Sequence, residues 1–231
     1  MSATYSQNRA RIETYFDRTA ADAWARLTST AKVSGIRATV RAGRDRMRAT
    51  LLGWLPADLS GARLLDAGCG TGALSVEAAR RGAAVVAVDL SPTLVALAAE
   101  RAAADGVAGI DFRSGDMLDA VFGRFEHVVA MDSLIHYPLA QVVDALAALA
   151  PRAGRSILFT FPPGNLLLRA MIAVGRLFPR GDRAPFIQPL AEARLRAAIE
   201  AHPALAGFRI GRTERIASGF YTSQAMELVR R

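Results

Sequence analysis

The stretch LLDAGCGTG, residues 64–72, sets three glycines at alternate positions directly after an apolar run that ends at Asp66. A strand stopping there must turn sharply. Gly68, Gly70 and Gly72 lack the Cβ that disfavours left-handed backbone and keeps a ligand at a distance. The spacing predicts a buried strand, a tight loop and a helix beginning near Ala73. Short apolar runs then alternate with alanine-rich helical patterns: GALSVEAARRG, AVVAVDL, TLVALAAERAAADG, IDFRSGD, HVVAMDS, LAQVVDALAALA and SILFTFPP. This alternation implies an α/β chain with a parallel sheet covered by helices on both faces. Sheets of that kind bind ligands beyond the carboxyl ends of their strands.

Those ends carry the polar residues. The loop after the first strand supplies Asp66, Ala67, Gly68, Cys69 and Gly70. It lacks the dinucleotide form, because Ala73 stands three positions beyond Gly70 and the helix has already begun. An acid ahead of the glycines suits an amine or sulfonium better than a pyrophosphate. The second strand ends at Asp89 in VVAVDLS, where a carboxylate can accept from ribose hydroxyls while Leu90 packs on a base. After the third strand comes SGDM, with Asp116 placed to accept from an adenine amino group and Met117 to lie against the ring. Taken singly, each acid reads equally well as a turn or capping residue. Three at successive strand ends after this loop make a nucleoside site the better reading. The fourth strand runs into VAMDSLIHYP, crowding Asp132, Ser133, His136 and Tyr137 before Pro138.

The first third is helical in pattern. Ile12, Tyr15 and Phe16 share one face, and Ile36, Val40, Met47, Leu51 and Trp54 share another on a longer helix that also carries Arg37, Arg41, Arg44 and Arg48 in a stripe. That stripe reads either as a solvated basic face or as a rail for carboxylates. Pro56 and the segment 58–61 mark a boundary, dividing an N-terminal helical arm, residues 1–57, from a core, residues 58–231. Residues 162–189 interrupt the core after the fifth strand and read as an inserted cap. A helix over 190–201 and strand-like FRIGRTERI and AMELV follow, the latter two as a hairpin at the sheet edge.

Composition narrows the classes. The formal charge is +8, with Lys32 the single lysine, which favours anionic partners in general. Cys69 is the one cysteine, so neither a disulfide framework nor a multi-cysteine zinc site is available. No protein-bound metal is expected. No secretory signal pattern opens the chain, and the stretch 166–178, broken by Arg169, Gly175 and Arg176, is shorter than the ~20 residues of a spanning helix. A cytoplasmic location is expected.

The D-x-G-x-G-x-G loop with an acid ending the second strand resembles the class I S-adenosylmethionine-dependent methyltransferases, over about residues 60–160. The resemblance implies a Rossmann-like sheet and S-adenosylmethionine as methyl donor. The whole chain, with YFD at Tyr15–Asp17, the Trp24 segment, VRAGR at Val40–Arg44, DSLIHYP and FPP after the fifth strand, resembles the magnesium-protoporphyrin IX O-methyltransferases of bacteriochlorophyll synthesis, most strongly the purple-bacterial members. That resemblance implies methylation of one propionate of magnesium protoporphyrin IX, supply of this substrate by magnesium chelatase, and peripheral attachment to the photosynthetic membrane. Magnesium then belongs to the substrate. Thr28 stands where photosynthetic relatives often carry tyrosine, so that position's role does not carry over.

On this reading Tyr15, Met131, Asp132 and Ser133 join the cofactor residues. Arg41, Arg44 and Ile135 face the acceptor, and His136 and Tyr137 are the catalytic candidates. By position alone His136 is as readily a helix-start histidine bonded to backbone, and Tyr137 a packing residue; the resemblance favours function for His136. His127 and His202 read as structural. No nucleic-acid partner is expected, because the Asn/Asp-Pro-Pro-aromatic corner that holds a flipped base is replaced here by MDSLIHYP. Another apolar acceptor, such as a quinone precursor or lipid, remains the alternative, with RNA modification or binding behind it.

Overall fold

The computed structural model describes residues 7, 9–10, 12–13, 35–164 and 187–231. Tyr15, Trp24, Thr28 and the stretch 166–178 lie outside the described residues.

Among the described residues seven strands form one sheet in the order β3-β2-β1-β4-β5-β7-β6. They are β1 (Arg63–Ala67), β2 (Ala84–Asp89), β3 (Ile110–Ser114), β4 (Phe125–Ala130), β5 (Ala153–Phe161), β6 (Phe208–Ser218) and β7 (Tyr221–Arg230). The first five pair in parallel, and β7 runs antiparallel to both β5 and β6. The hairpin expected at the sheet edge therefore exists, with β6 as the edge and β7 inside it. Strand order reverses between β1 and β4, and the glycine loop and VAMDSLIHYP leave from those two neighbours. The crevice that such a reversal opens is the standard ligand site of this architecture.

Among the described residues the α-helices with defined bounds are, in chain order, α1 (Gly35–Trp54), α2 (Ala73–Arg80), α3 (Pro92–Ala104), α4 (Leu139–Leu149) and α5 (Glu192–Ala201). Met47 and Leu51 of α1, with Leu74 and Ala78 of α2, bury one face of the sheet against Leu64, Val85, Val129 and Leu158. Val142 and Leu146 of α4, with Leu195 and Ile199 of α5, bury the other against Leu65, Val128, Ile157 and Met226. Successive strand residues point to opposite faces, so the near-continuous apolar runs feed two cores.

Two expectations are corrected. Ile36 is 57% exposed, because the buried stripe of α1 begins only at Gly43, where the helix meets the sheet. The last helix starts at Glu192, because Leu190 is spent in a bridge to Pro163, with Leu190 N–H donating to Pro162 O and Gly164 N–H to Leu190 O. The two ends of the insertion after β5 are thus laced together. Gln188 N–H also donates to Ile135 O at 2.9 Å, which sets the insertion's base beside the segment after β4. His127 is buried with its Nδ1 2.8 Å from Ser156 Oγ, and His202 caps the turn Pro203–Leu205. Both are structural.

At Gly43 α1 lies close against β7: a Cβ there would lie 2.5 Å from the Tyr221 ring. Alanine in a helix interior normally gains about 0.5 to 1 kcal/mol over glycine, yet overpacking costs about 1 to 3 kcal/mol. Gly43→Ala is therefore expected to destabilise the protein by about 1 to 2 kcal/mol. An unchanged or raised thermal midpoint would contradict the close approach.

Candidate active site

Gly68, Gly70 and Gly72 have φ of 90°, 52° and 79°, the left-handed region the spacing calls for. Gly68 and Cys69 both donate to Val88 O, tying the loop to the end of β2, and Gly72 N–H closes the turn on Cys69 O. At Gly68 a Cβ would fall onto that of Ser133, so the loop and the segment after β4 touch at a point only glycine allows.

Asp89 organises the loop from β2. Its two carboxylate oxygens accept from Gly70 N–H at 2.8 Å and Ser91 N–H at 3.0 Å. Burial pushes its pKa up, and these backbone donors pull it partly back. Asp66 lies deeper, 1% exposed, accepting from Ser75 Oγ at 2.6 Å. Burial, opposed by the Ser75 bond and assisted by the nearby Asp89 charge, pushes its pKa up to about 7. An uncompensated carboxylate at that depth invites a cationic ligand.

Asp116 follows β3. One oxygen takes Leu118 N–H at 2.9 Å and the other the Arg9 guanidinium at 3.0 Å, so Arg9 reaches the end of the cleft below β3. Ile12 is buried in the same core as Met117.

These groups open on one cavity of about 560 Å³, within the usual range for small-molecule sites. Asp66, Gly68, Cys69, Gly70, Asp89, Leu90, Asp116 and Met117 line it from β1 to β3. Met131, Asp132, Ser133, His136 and Tyr137 line it from β4, and Arg41 and Arg44 from α1. Ser133 Oγ is buried with no hydrogen-bond partner among the described residues, a group that an adenosyl-amino-acid ligand would satisfy. Sequence reasoning left out Arg48, which lines the cavity one turn beyond Arg44, although the arginine stripe already contained it.

Two predicted residues stand elsewhere. Ala67 is fully buried in a core beneath the loop, and Ile135 is outside the cavity lining, its carbonyl engaged by Gln188. Tyr15 lies outside the described residues. Tyr137 is 3% exposed and belongs to the core cluster of Leu134 and Val142, so it forms a packed wall of the cavity. His136 ends the 3-10 turn Leu134–His136 at the cavity. No cluster of His, Cys, Asp or Glu among the described residues is arranged to hold a metal ion.

Asp132, expected on the cofactor side, lines the same cavity, and its carboxylate accepts from Arg44 Nη1 at 2.6 Å, from Tyr221 OH at 3.2 Å and from Thr160 Oγ1 at 3.1 Å. These donors come from α1, β7 and β5, and no local pattern in the chain announces them.

The family model described as "Magnesium-protoporphyrin IX methyltransferase C-terminus" matches residues 130–230, and one described as "Methyltransferase domain" matches residues 64–152. The magnesium-protoporphyrin O-methyltransferase of Rhodobacter capsulatus is 46% identical over 228 residues, 98% of this chain and 99% of that protein. The crystal structure of magnesium protoporphyrin IX methyltransferase from Synechocystis PCC 6803 with bound SAH superposes with a TM-score of 0.84 at 30% identity, covering 96% of this chain and all of that one. A ubiquinone biosynthesis O-methyltransferase of Xylella fastidiosa is 38% identical over 143 residues, covering 57% of each chain. With near-complete alignment to the first two and a fold that superposes along its length, this chain belongs to the magnesium-protoporphyrin O-methyltransferase family.

Proposed function

We propose that this chain transfers a methyl group from S-adenosylmethionine to a propionate carboxyl of magnesium protoporphyrin IX, giving the monomethyl ester in bacteriochlorophyll synthesis. One observation carries the reading. A single cavity joins a glycine-and-acid half suited to the adenosyl donor with a wall of three arginines from α1, Arg41, Arg44 and Arg48. The quinone-precursor alternative is the weaker one, since identity to the ubiquinone enzyme spans 57% of the chain against 98% for the porphyrin enzyme.

When bound, S-adenosylmethionine supplies an electrophilic methyl on a sulfonium. The residues around it have positioning to do. A propionate, with a pKa of about 4 to 5, is already ionised at neutral pH. Its oxygen forms the new C–O bond as the S–CH₃ bond breaks, and the sulfur keeps the electron pair; no proton need leave. Holding carboxylate and methyl in line out of water is worth up to about 7 to 11 kcal/mol in favourable cases. His136 orients the reacting carboxylate and takes any residual proton, while the arginines of α1 hold the acceptor's carboxylates. Mass spectrometry of a reaction containing both compounds tests the assignment: one methyl added to a carboxyl is expected, and an unmodified porphyrin in the presence of bound cofactor would overturn it.

Delivery of the substrate by magnesium chelatase and peripheral attachment of a cytoplasmic chain to the photosynthetic membrane are part of the same proposal. The apolar, arginine-edged composition of 166–178 supports the attachment. Flotation with anionic vesicles checks it, and protein left entirely at the bottom of the gradient would reject it.

Asp66 makes cofactor binding pH-dependent. Its folded pKa of about 7 lies above the ordinary value of 3.8, so the folded apo protein holds a proton there that the unfolded chain has released. Stability from this group thus falls as pH rises from about 4 to 7 and is level above that window. A cationic cofactor reverses the preference by favouring the carboxylate. Affinity for S-adenosylmethionine is expected to increase as pH rises through 7, with proton release on binding. Calorimetry in buffers of different ionisation enthalpy measures that release, and none at pH 6.5 would argue against a protonated Asp66.

A further inference from the structure

We infer that Asp132 is a positioning residue for the acceptor, acting through Arg44, and that it makes no contact with the cofactor through its carboxylate. The inference rests on the proposed reaction and specifies how the acceptor side of that site is built.

Asp132 is the one non-glycine residue with positive φ among the described residues, at 54°. Aspartate and asparagine tolerate this left-handed backbone better than most side chains. The conformation turns the chain immediately after β4, and Asp132 N–H is fixed by donating to Thr160 Oγ1 at 2.7 Å. The carboxylate enters a ring of donors. Its Oδ2 accepts from Arg44 Nη1 at 2.6 Å and from Tyr221 OH at 3.2 Å. Its Oδ1 accepts from Thr160 Oγ1 at 3.1 Å, Tyr221 OH at 3.2 Å and Ser223 Oγ at 3.4 Å. A carboxylate has about four lone-pair sites, and four donor groups surround this one. A ligand hydroxyl or amine finds little capacity left on it.

The side chain of Asp132 is 5% exposed and that of Arg44 19%, so the pair is largely shielded and its geometry is held from several sides. Tyr221 remains a neutral donor throughout the working range, because burial and the adjacent Asp132 charge push its phenol up. The same Tyr221 ring meets α1 at Gly43, the residue before Arg44. Helix, sheet and ion pair therefore set one another's positions. By contrast, Arg48 is paired with a half-exposed Asp45 on its own helix.

This has a chemical consequence. A lone guanidinium clasping the reacting carboxylate would hold the electron pairs that must attack the methyl group. Sharing Arg44 with Asp132 keeps its cationic head on the acceptor wall, aimed and partly neutralised. A carboxylate acceptor is then oriented without being strongly quenched, and an uncharged acceptor of the same shape leaves Arg44 unused.

A double-mutant cycle tests the coupling. Magnesium protoporphyrin binding is followed by absorbance and S-adenosylmethionine binding by calorimetry, for the parent, Asp132→Asn, Arg44→Met and the double variant. Asparagine preserves the backbone and removes the charge. Asp132→Asn is expected to lose about tenfold in porphyrin affinity while cofactor affinity stays within about twofold, and to cost nothing further in the Arg44→Met background. Asp132→Gly, which also accepts φ of 54°, should match Asp132→Asn. Tyr221→Phe, which leaves the ion pair, should lose less than about threefold. Independent, multiplying losses in the double variant would overturn the inference, as would parent-like porphyrin binding by Asp132→Asn or a parallel loss of cofactor affinity. Failure of the parent itself to bind the porphyrin would overturn the proposed reaction, and this inference with it.

Discussion

Replacing His136 by alanine is expected to lower turnover by about 100-fold while leaving S-adenosylmethionine affinity within about twofold of the parent. The acceptor carboxylate is already ionised, so the loss is one of positioning, and a small misplacement of reacting groups can cost about 10²-fold. His136 sits at the end of the 3-10 turn Leu134–His136, on the cavity wall reached from β4. In the proposed reaction it meets the acceptor, so its removal is expected to take a contact from the acceptor and spare the ribose end. His136→Gln separates the two duties, because the amide still offers a hydrogen bond but cannot take a proton. If orientation dominates, the glutamine variant should recover about tenfold over alanine and show a flatter pH profile. Single-turnover rates at saturating cofactor measure this, and parent-like rates for the alanine variant would remove His136 from the chemistry.

Asp89→Ala has the second large effect, on binding. Two backbone donors, Gly70 N–H and Ser91 N–H, lose their acceptor, and on the ribose role proposed for Asp89 the cofactor's hydroxyls lose theirs. A hydrogen bond to a charged group is worth about 1.5 to 3 kcal/mol, so cofactor affinity should fall by about 10- to 100-fold. Part of that loss comes from the glycine loop, whose left-handed turn at Gly70 is held by this carboxylate. Asp89→Asn keeps one acceptor oxygen and should fall between parent and alanine. Calorimetric titration with S-adenosylmethionine decides it; an unaltered isotherm for the alanine variant would reject the ribose role. The contrast with His136 is the useful feature, since one variant should lose rate and the other affinity.

The cofactor half was legible because its physics is local. Glycines at 68, 70 and 72 adopt the left-handed turn their spacing requires, and acids at the ends of parallel strands converge on the crevice that this strand order opens. The acceptor half was legible only in outline. The arginine stripe was visible as a helical spacing, but nothing in it distinguishes Arg37, exposed on α1, from Arg41, Arg44 and Arg48 at the cavity. Which arginines face inward depends on where α1 meets the sheet, and Gly43 against Tyr221 decides that. Ile36 fits the apolar spacing of α1 equally well and is exposed, because the helix meets the sheet only from Gly43 on.

The sequence by itself determined the alternating α/β order, the glycine loop and the acids at successive strand ends, because strand burial and glycine backbone freedom act within a few residues. Only the tertiary structure decided that Asp132 pairs with Arg44. Its partners Thr160, Tyr221 and Ser223 stand 28, 89 and 91 residues away, and Arg44 stands 88 residues earlier. A buried carboxylate takes whatever donors the packed elements bring to it, and those are set by how α1 and β7 dock at the end of β4.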